Sequence, residues 1–160
     1  MVFVINNRKE EETADRTNSN TQTQQNIDFT DKGDISKLSP EEQMLVGEWV
    51  VSDYDDNQNL SEEEKQLNRE AIVGQGRLIF NADKRFFRTG FSPEIQTAQW
   101  EFEPKKNTIN LIIDGRKEPI NLARFSDSSF TILTTERTTN PETGVQNVVT
   151  TRITFEKQAE

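Results

Sequence analysis

The stretch R-L-I-F-N-A-D-K-R-F-F-R-T-G, residues Arg77 to Gly90, reads as one hairpin: an apolar run, an Asn/Asp/Lys turn and an aromatic run. Two short β-rich segments split by turn residues are the pattern of antiparallel neighbours. Toward the C-terminus the unit repeats. Alternating runs at 96–103, 107–114, 118–125, 129–137 and 145–156 are separated by S-P-E (92–94), P-K-K (104–106), G-R-K (115–117), S-D-S (126–128) and N-P-E-T-G (140–144). Connections this short force antiparallel pairing. With 76–81 and 85–90 from the hairpin and 46–54 before it, eight strands are predicted in sequence order. Such a meander leaves two raw edges unless it closes on itself. The predicted fold is therefore mainly β: an eight-stranded antiparallel up-and-down β-barrel, whose interior its own side chains fill or one small ligand occupies.

One connection is long. It contains Ser61-Glu62-Glu63-Glu64, a capping box, followed by K-Q-L-N-R-E-A-I, which predicts a short helix over 62–72 with Leu67, Ala71 and Ile72 toward the sheet. A second capping box, Ser39-Pro40-Glu41-Glu42, opens a helix that Gly47, Val50 and Val51 keep short. From Arg8 to Lys37 the chain is nearly free of large apolar residues and too polar to offset its ordering entropy. Residues 1–38 are thus expected to form a flexible, disordered N-terminal arm, and 39–160 the barrel domain. The arm's apolar islands are Val2, Phe3, Val4 and Ile5, suited to adding a strand to a protein partner, and Ile27 to Phe29.

The chain has no cysteine and no histidine. That removes thiolate chemistry, the usual base near neutral pH, serine-histidine triads and nearly all catalytic zinc sites. No carboxylate pair stands in an identifiable cleft, so the expectation is a non-enzyme without cofactor. The net charge of -9 is concentrated: residues 41–72 carry ten acidic and two basic side chains. Basic residues are dispersed, which argues against nucleic acid as a partner. No run approaches the ~18 apolar residues of a membrane span. M-V-F-V-I lacks the length and cleavage site of a signal peptide, so the chain as it stands reads as cytoplasmic, or as exported if a leader has been removed.

Leu45-Val46-Gly47-Glu48-Trp49, at the start of the first strand, is similar to the G-x-W signature of lipocalin-like barrels. The 77–90 hairpin, A-Q-W-E-F (98–102) and I-N-L-A-R-F-S-D-S-S-F-T-I-L (120–133) resemble, in the same order, the small bacterial lipocalin-like (calycin-type) domains, so the likeness spans residues 44 to 156. It implies that Gly47 lets the chain turn into the closed end, that Trp49 plugs that end, and that an arginine of the last strand packs over the Trp, with Arg152 the candidate. The bacterial families are often anchored through a lipidated cysteine, which this chain lacks. The resemblance implies a binding or interaction module, with a small apolar ligand in the barrel. A structural subunit of a larger bacterial assembly, docked through its arm, is the alternative.

Two sites follow. The interior site would be lined by Trp49, Phe80, Phe86, Trp100, Phe102, Leu111 and Ile132, large residues that also suit a solid core. Separately, Asp53, Asp55, Asn57, Asn59, Ser61 and Glu64 fall at positions 1, 3, 5, 7, 9 and 12 of a calcium-loop frame. Against calcium stand Gln58 where the frame wants Gly, and a capping box that already employs Ser61 and Glu64; a turn leading into a helix is the favoured reading. The polar stripes 134–139 and 150–154 read as a solvated sheet face, with a polar cup as the lesser alternative.

Overall fold

The computed structural model describes residues 33–159. The arm residues Val2, Phe3, Val4 and Ile5 lie outside the described residues. Eight antiparallel strands close in sequence order: β1 (Gly47–Asp56), β2 (Arg77–Phe80), β3 (Arg85–Thr89), β4 (Gln96–Glu103), β5 (Thr108–Ile113), β6 (Arg116–Phe125), β7 (Ser129–Thr139) and β8 (Gln146–Lys157). The ring is sealed by β1 on β8, from Trp49↔Lys157 to Asp56↔Thr151. β7 and β8 pair over eleven rungs, whereas β6 meets β7 over three, the last being Leu122↔Ile132. Beyond that rung β7 continues as a ribbon with β8.

Both capping boxes form. Ser39 Oγ accepts from the Glu42 amide at 3.2 Å while the Glu42 carboxylate accepts from the Ser39 amide at 3.0 Å, opening α1 (Pro40–Leu45) across the closed end. Ser61 and Glu64 repeat this at α2 (Glu62–Ile72). Burial pushes the Glu42 carboxyl up, but hydrogen bonds from Lys84 and from the Ser39 amide outweigh it and hold the group below its ordinary value of 4.5. The Lys84–Glu42 ion pair ties α1 to the β2–β3 turn.

The expected inner face of α2 is corrected. Ile72 is buried, but Leu67 is 63% exposed and Ala71 is exposed. The helix docks through the stripe Lys65, Asn68, Arg69 and Ile72, because Arg69 is held by two partners on β1. Its Nη1 donates to the Tyr54 carbonyl at 2.8 Å and its Nη2 meets Asp53 Oδ1 at 2.7 Å.

Gly90 explains how α2 returns to the barrel. It adopts φ +77°, and a Cβ there would sit 1.9 Å from the Gln75 carbonyl oxygen, so the β3 exit passes directly under the turn that follows the helix.

Candidate functional site

Alternation along the strands drives one apolar row inward on each. All seven predicted interior residues meet there: Trp49, Phe80, Phe86, Trp100, Phe102, Leu111 and Ile132 are buried in a single cluster. Their rings touch. Trp49 lies 4.6 Å from Phe130, Phe130 4.9 Å from Phe155, Phe80 5.0 Å from Phe86 and 5.6 Å from Trp100 in an edge-on arrangement. Phe102 packs at 5.4 Å on Phe125, turned inward by an irregularity between Leu122 and Arg124. Both indole N–H groups are satisfied, by the Leu45 and Asn81 carbonyls at 2.8 and 2.9 Å. At this level the barrel is packed by its own aromatics.

Trp49 is fully buried at the end of the barrel beside α1, its indole N–H on the Leu45 carbonyl. Gly47 adopts φ +135°, and a Cβ would press on the Lys157 side chain at 2.8 Å. The cation over the indole is Lys157, not Arg152: Lys157 Nζ lies 5.3 Å from the Trp49 ring and donates to the Met44 carbonyl at 2.9 Å. Arg152 is exposed, because its rung, Asp55↔Arg152↔Leu133, carries it on the outer face.

The open end differs. A bulge at Ser52 breaks the β1–β8 register between Val51 and Asp53. Trp49 and Val51 point inward before it, and Tyr54 is the buried residue after it, while Asp55 is exposed. Tyr54 thereby joins a groove of about 330 Å³ between α2 and the β7–β8 ribbon. Gln58, Leu60, Glu64, Leu67 and Asn68 line its helix side; Thr134, Glu136, Val149 and Thr151 line its strand side. The polar stripe is thus divided. Thr134, Glu136 and Thr151 face the groove, whereas Thr135 and Thr150 meet each other on the outer face at 3.5 Å.

Inside the groove the Tyr54 hydroxyl donates to Asp56 Oδ2 at 3.0 Å. Burial first, and then the Asp56 carboxylate, push the phenol well above its ordinary value, so Tyr54 stays protonated beyond the pH at which a free tyrosine ionises. At the rim, backbone and hydroxyl hydrogen bonds from Ser61 hold the Glu64 carboxyl below its ordinary range, so it stays ionised. The groove therefore offers two carboxylates, a phenol, two side-chain amides and two threonines beside Leu60, Leu67 and Val149. Sequence reasoning missed Tyr54, Gln58, Leu60 and Asn68 as site residues. The signal available was the ladder of threonines opposite an acidic helix start, which only pairing could bring together.

The calcium-frame residues are dispersed among other tasks. Asp53 serves Arg69, and Asp55 is exposed on the outer face. Asn57 is stitched to β8, its Oδ1 accepting from the Thr150 amide at 2.7 Å and its Nδ2 donating to the Val148 carbonyl at 3.3 Å. Asn59 is exposed, and Glu64 is the cap of α2. Among the described residues no three carboxylates gather closely enough to hold a metal ion.

No protein-family model matches the chain, and no curated protein matches it in sequence. Among the described residues no helix is long and apolar enough to cross a membrane. Barrel topology and the composition of the groove carry the functional reading.

Proposed function

We propose that the chain is a non-enzymatic, lipocalin-like binding module that receives its ligand at the open mouth under α2 rather than deep in the barrel. The observation that carries this reading is the groove of about 330 Å³, in which Glu64 and Glu136 stand beside Leu60, Leu67 and Val149. The ligand class that matches is a small amine with an apolar tail. Its ammonium would lie between the two carboxylates with Thr134 and Thr151 in reach, and its tail would cover the leucines. The contact between Trp49 and Phe130 argues for the mouth, since a ligand seated lower would have to displace packed rings. The lipocalin-like assignment is supported by strand order and by the indole plug under Lys157.

The test is a titration of the full chain with a series of n-alkylamines, followed by amide chemical shifts. Saturable shifts are expected at Leu67, Thr134, Glu136 and Thr151, with affinity rising along the series. Glu136→Gln is expected to weaken binding about tenfold, the loss of one charge-assisted contact. Shifts confined to Phe80, Phe86 and Trp100, or an affinity indifferent to Glu136→Gln, would overturn the assignment to the mouth.

A further inference from the structure

One strand edge of the barrel is left bare. β7 pairs with β8 along its whole length, from Ser129 to Thr139, but its β6 side is paired only as far as the Leu122↔Ile132 rung. Among the described residues no strand pairs with that side from Leu133 to Thr139. The cause lies in β6. Continued zipping would carry Pro119 opposite Thr135, and proline has no N–H to give to a ladder. β6 instead stays with β5, through Asn110↔Pro119, while β7 leaves with β8. Unpaired N–H and C=O groups along an exposed strand are a template for another strand.

Alternation sorts the bare segment. Ile132 faces the core, so Thr134 and Glu136 lie on the inner face and Leu133, Thr135 and Arg137 on the outer one. Leu133 is 43% exposed beside Arg152 of β8, and Arg137 stands beside Val148, which is 46% exposed. A second copy of this strand can add to it antiparallel, about a two-fold axis perpendicular to the sheet. That axis sets outer residues opposite outer ones, so it passes through a single residue. Through Glu136 it would oppose two carboxylates, and through Arg137 two guanidiniums, both unfavourable. Through Thr134 or Thr138 the pairing would be cut short, by the Leu122↔Ile132 rung or by the turn at Asn140. Through Thr135 no charge meets its like: Thr135 faces Thr135, Thr134 faces Glu136 and Leu133 faces Arg137.

We propose that the bare edge of β7 is a self-association site, at which two copies of this chain pair antiparallel about Thr135, from Leu133 to Arg137 on each. The two β7–β8 ribbons then form one continuous sheet. Its central outer row is threonine throughout, Thr150, Thr135, Thr135 and Thr150, extending the 3.5 Å hydroxyl contact present within each copy. On either side of it the outer row runs Val148, Arg137, Leu133 and Arg152, the first two from one copy and the last two from the other. The methylene stem of Arg137 thus lies between the two exposed apolar side chains. The site does not depend on what the mouth holds.

The full chain is expected to sediment as a dimer at high micromolar concentration. Thr135→Lys sets two ammonium groups face to face and is expected to weaken that dimer about tenfold, with the near-ultraviolet circular dichroism of the fold unchanged. Because the chain has no cysteine, a single thiol reports on the axis in a second measurement. Directly opposed residues bring their Cβ atoms within about 4.5–5.5 Å, so Thr135→Cys is expected to give a disulfide-linked dimer under mild oxidation, and Thr150→Cys, one strand further from the axis, is not. A mixture of Leu133→Cys and Arg137→Cys chains is expected to cross-link far more than either alone. A chain that sediments as a monomer, a dimer indifferent to Thr135→Lys, or equal cross-linking at positions 135 and 150 would overturn the proposal. A monomer whose Leu133 to Arg137 amides all exchange slowly would assign the edge to pairing within one chain and overturn it too.

Discussion

Tyr54 is the sole tyrosine, so its ionisation can be followed without interference. Its folded value lies above the ordinary 10.0, which means that the native state holds the phenolic proton where the unfolded chain releases it. The stabilisation is complete below pH 10.0 and is lost as pH rises beyond it. A phenolate absorbance titration is therefore expected to show ionisation delayed past the ordinary value and coincident with loss of stability. Asp56→Asn should bring it partly down, since burial remains while the anion is gone. Ionisation at the ordinary value in the native protein would contradict the buried Tyr54–Asp56 contact. None of this was legible in the sequence. D-Y-D-D gives no hint which of four neighbours points inward, because the answer depends on the Ser52 bulge, and a bulge exists only relative to the strand beside it. Arg152 was misplaced for the same reason: the identity of the cation over Trp49 rests on register, while the need for a plug was readable from Gly47 and Trp49.

At the scale of the element, the two helices were readable because their start signals are local. Ser39 with Glu42 and Ser61 with Glu64 cap within one turn, so four residues carry the whole interaction. The orientation of α2 was not readable, since Leu67 and Ala71 looked like an inner stripe until Arg69 found Asp53 and the Tyr54 carbonyl. Ser61→Ala should cost about 1 kcal/mol within the helix. Because α2 rests on β1 through one small patch, that cost is expected as faster hydrogen exchange of the α2 amides, with exchange in β7 and β8 unchanged. Equal acceleration across the barrel would mean that helix and sheet unfold as one unit. The same experiment bears on the mouth, as Glu64 is both cap and groove residue.

Across the whole molecule, strand number and order were legible in chain punctuation: turns such as N-A-D-K and S-D-S allow no other neighbours. The packed interior was legible only as a choice between core and cavity, because residue size gives volume without the space to be filled. The ring contacts decide it at the level of Phe130, which touches both Trp49 and Phe155. Phe130→Ala should therefore cost about 3–5 kcal/mol, a large part of the ~5–15 kcal/mol by which a domain is stable. Urea unfolding measures this, and a cost below about 1 kcal/mol would reveal slack in the interior. The β1–β8 closure has a consequence for how the protein is made. The strand that completes the ring is the last to be synthesised, and its partner is the first. Until Lys157 has left the ribosome, β1 presents a bare edge on the β8 side, so each nascent chain passes through an open, sticky sheet before it can seal.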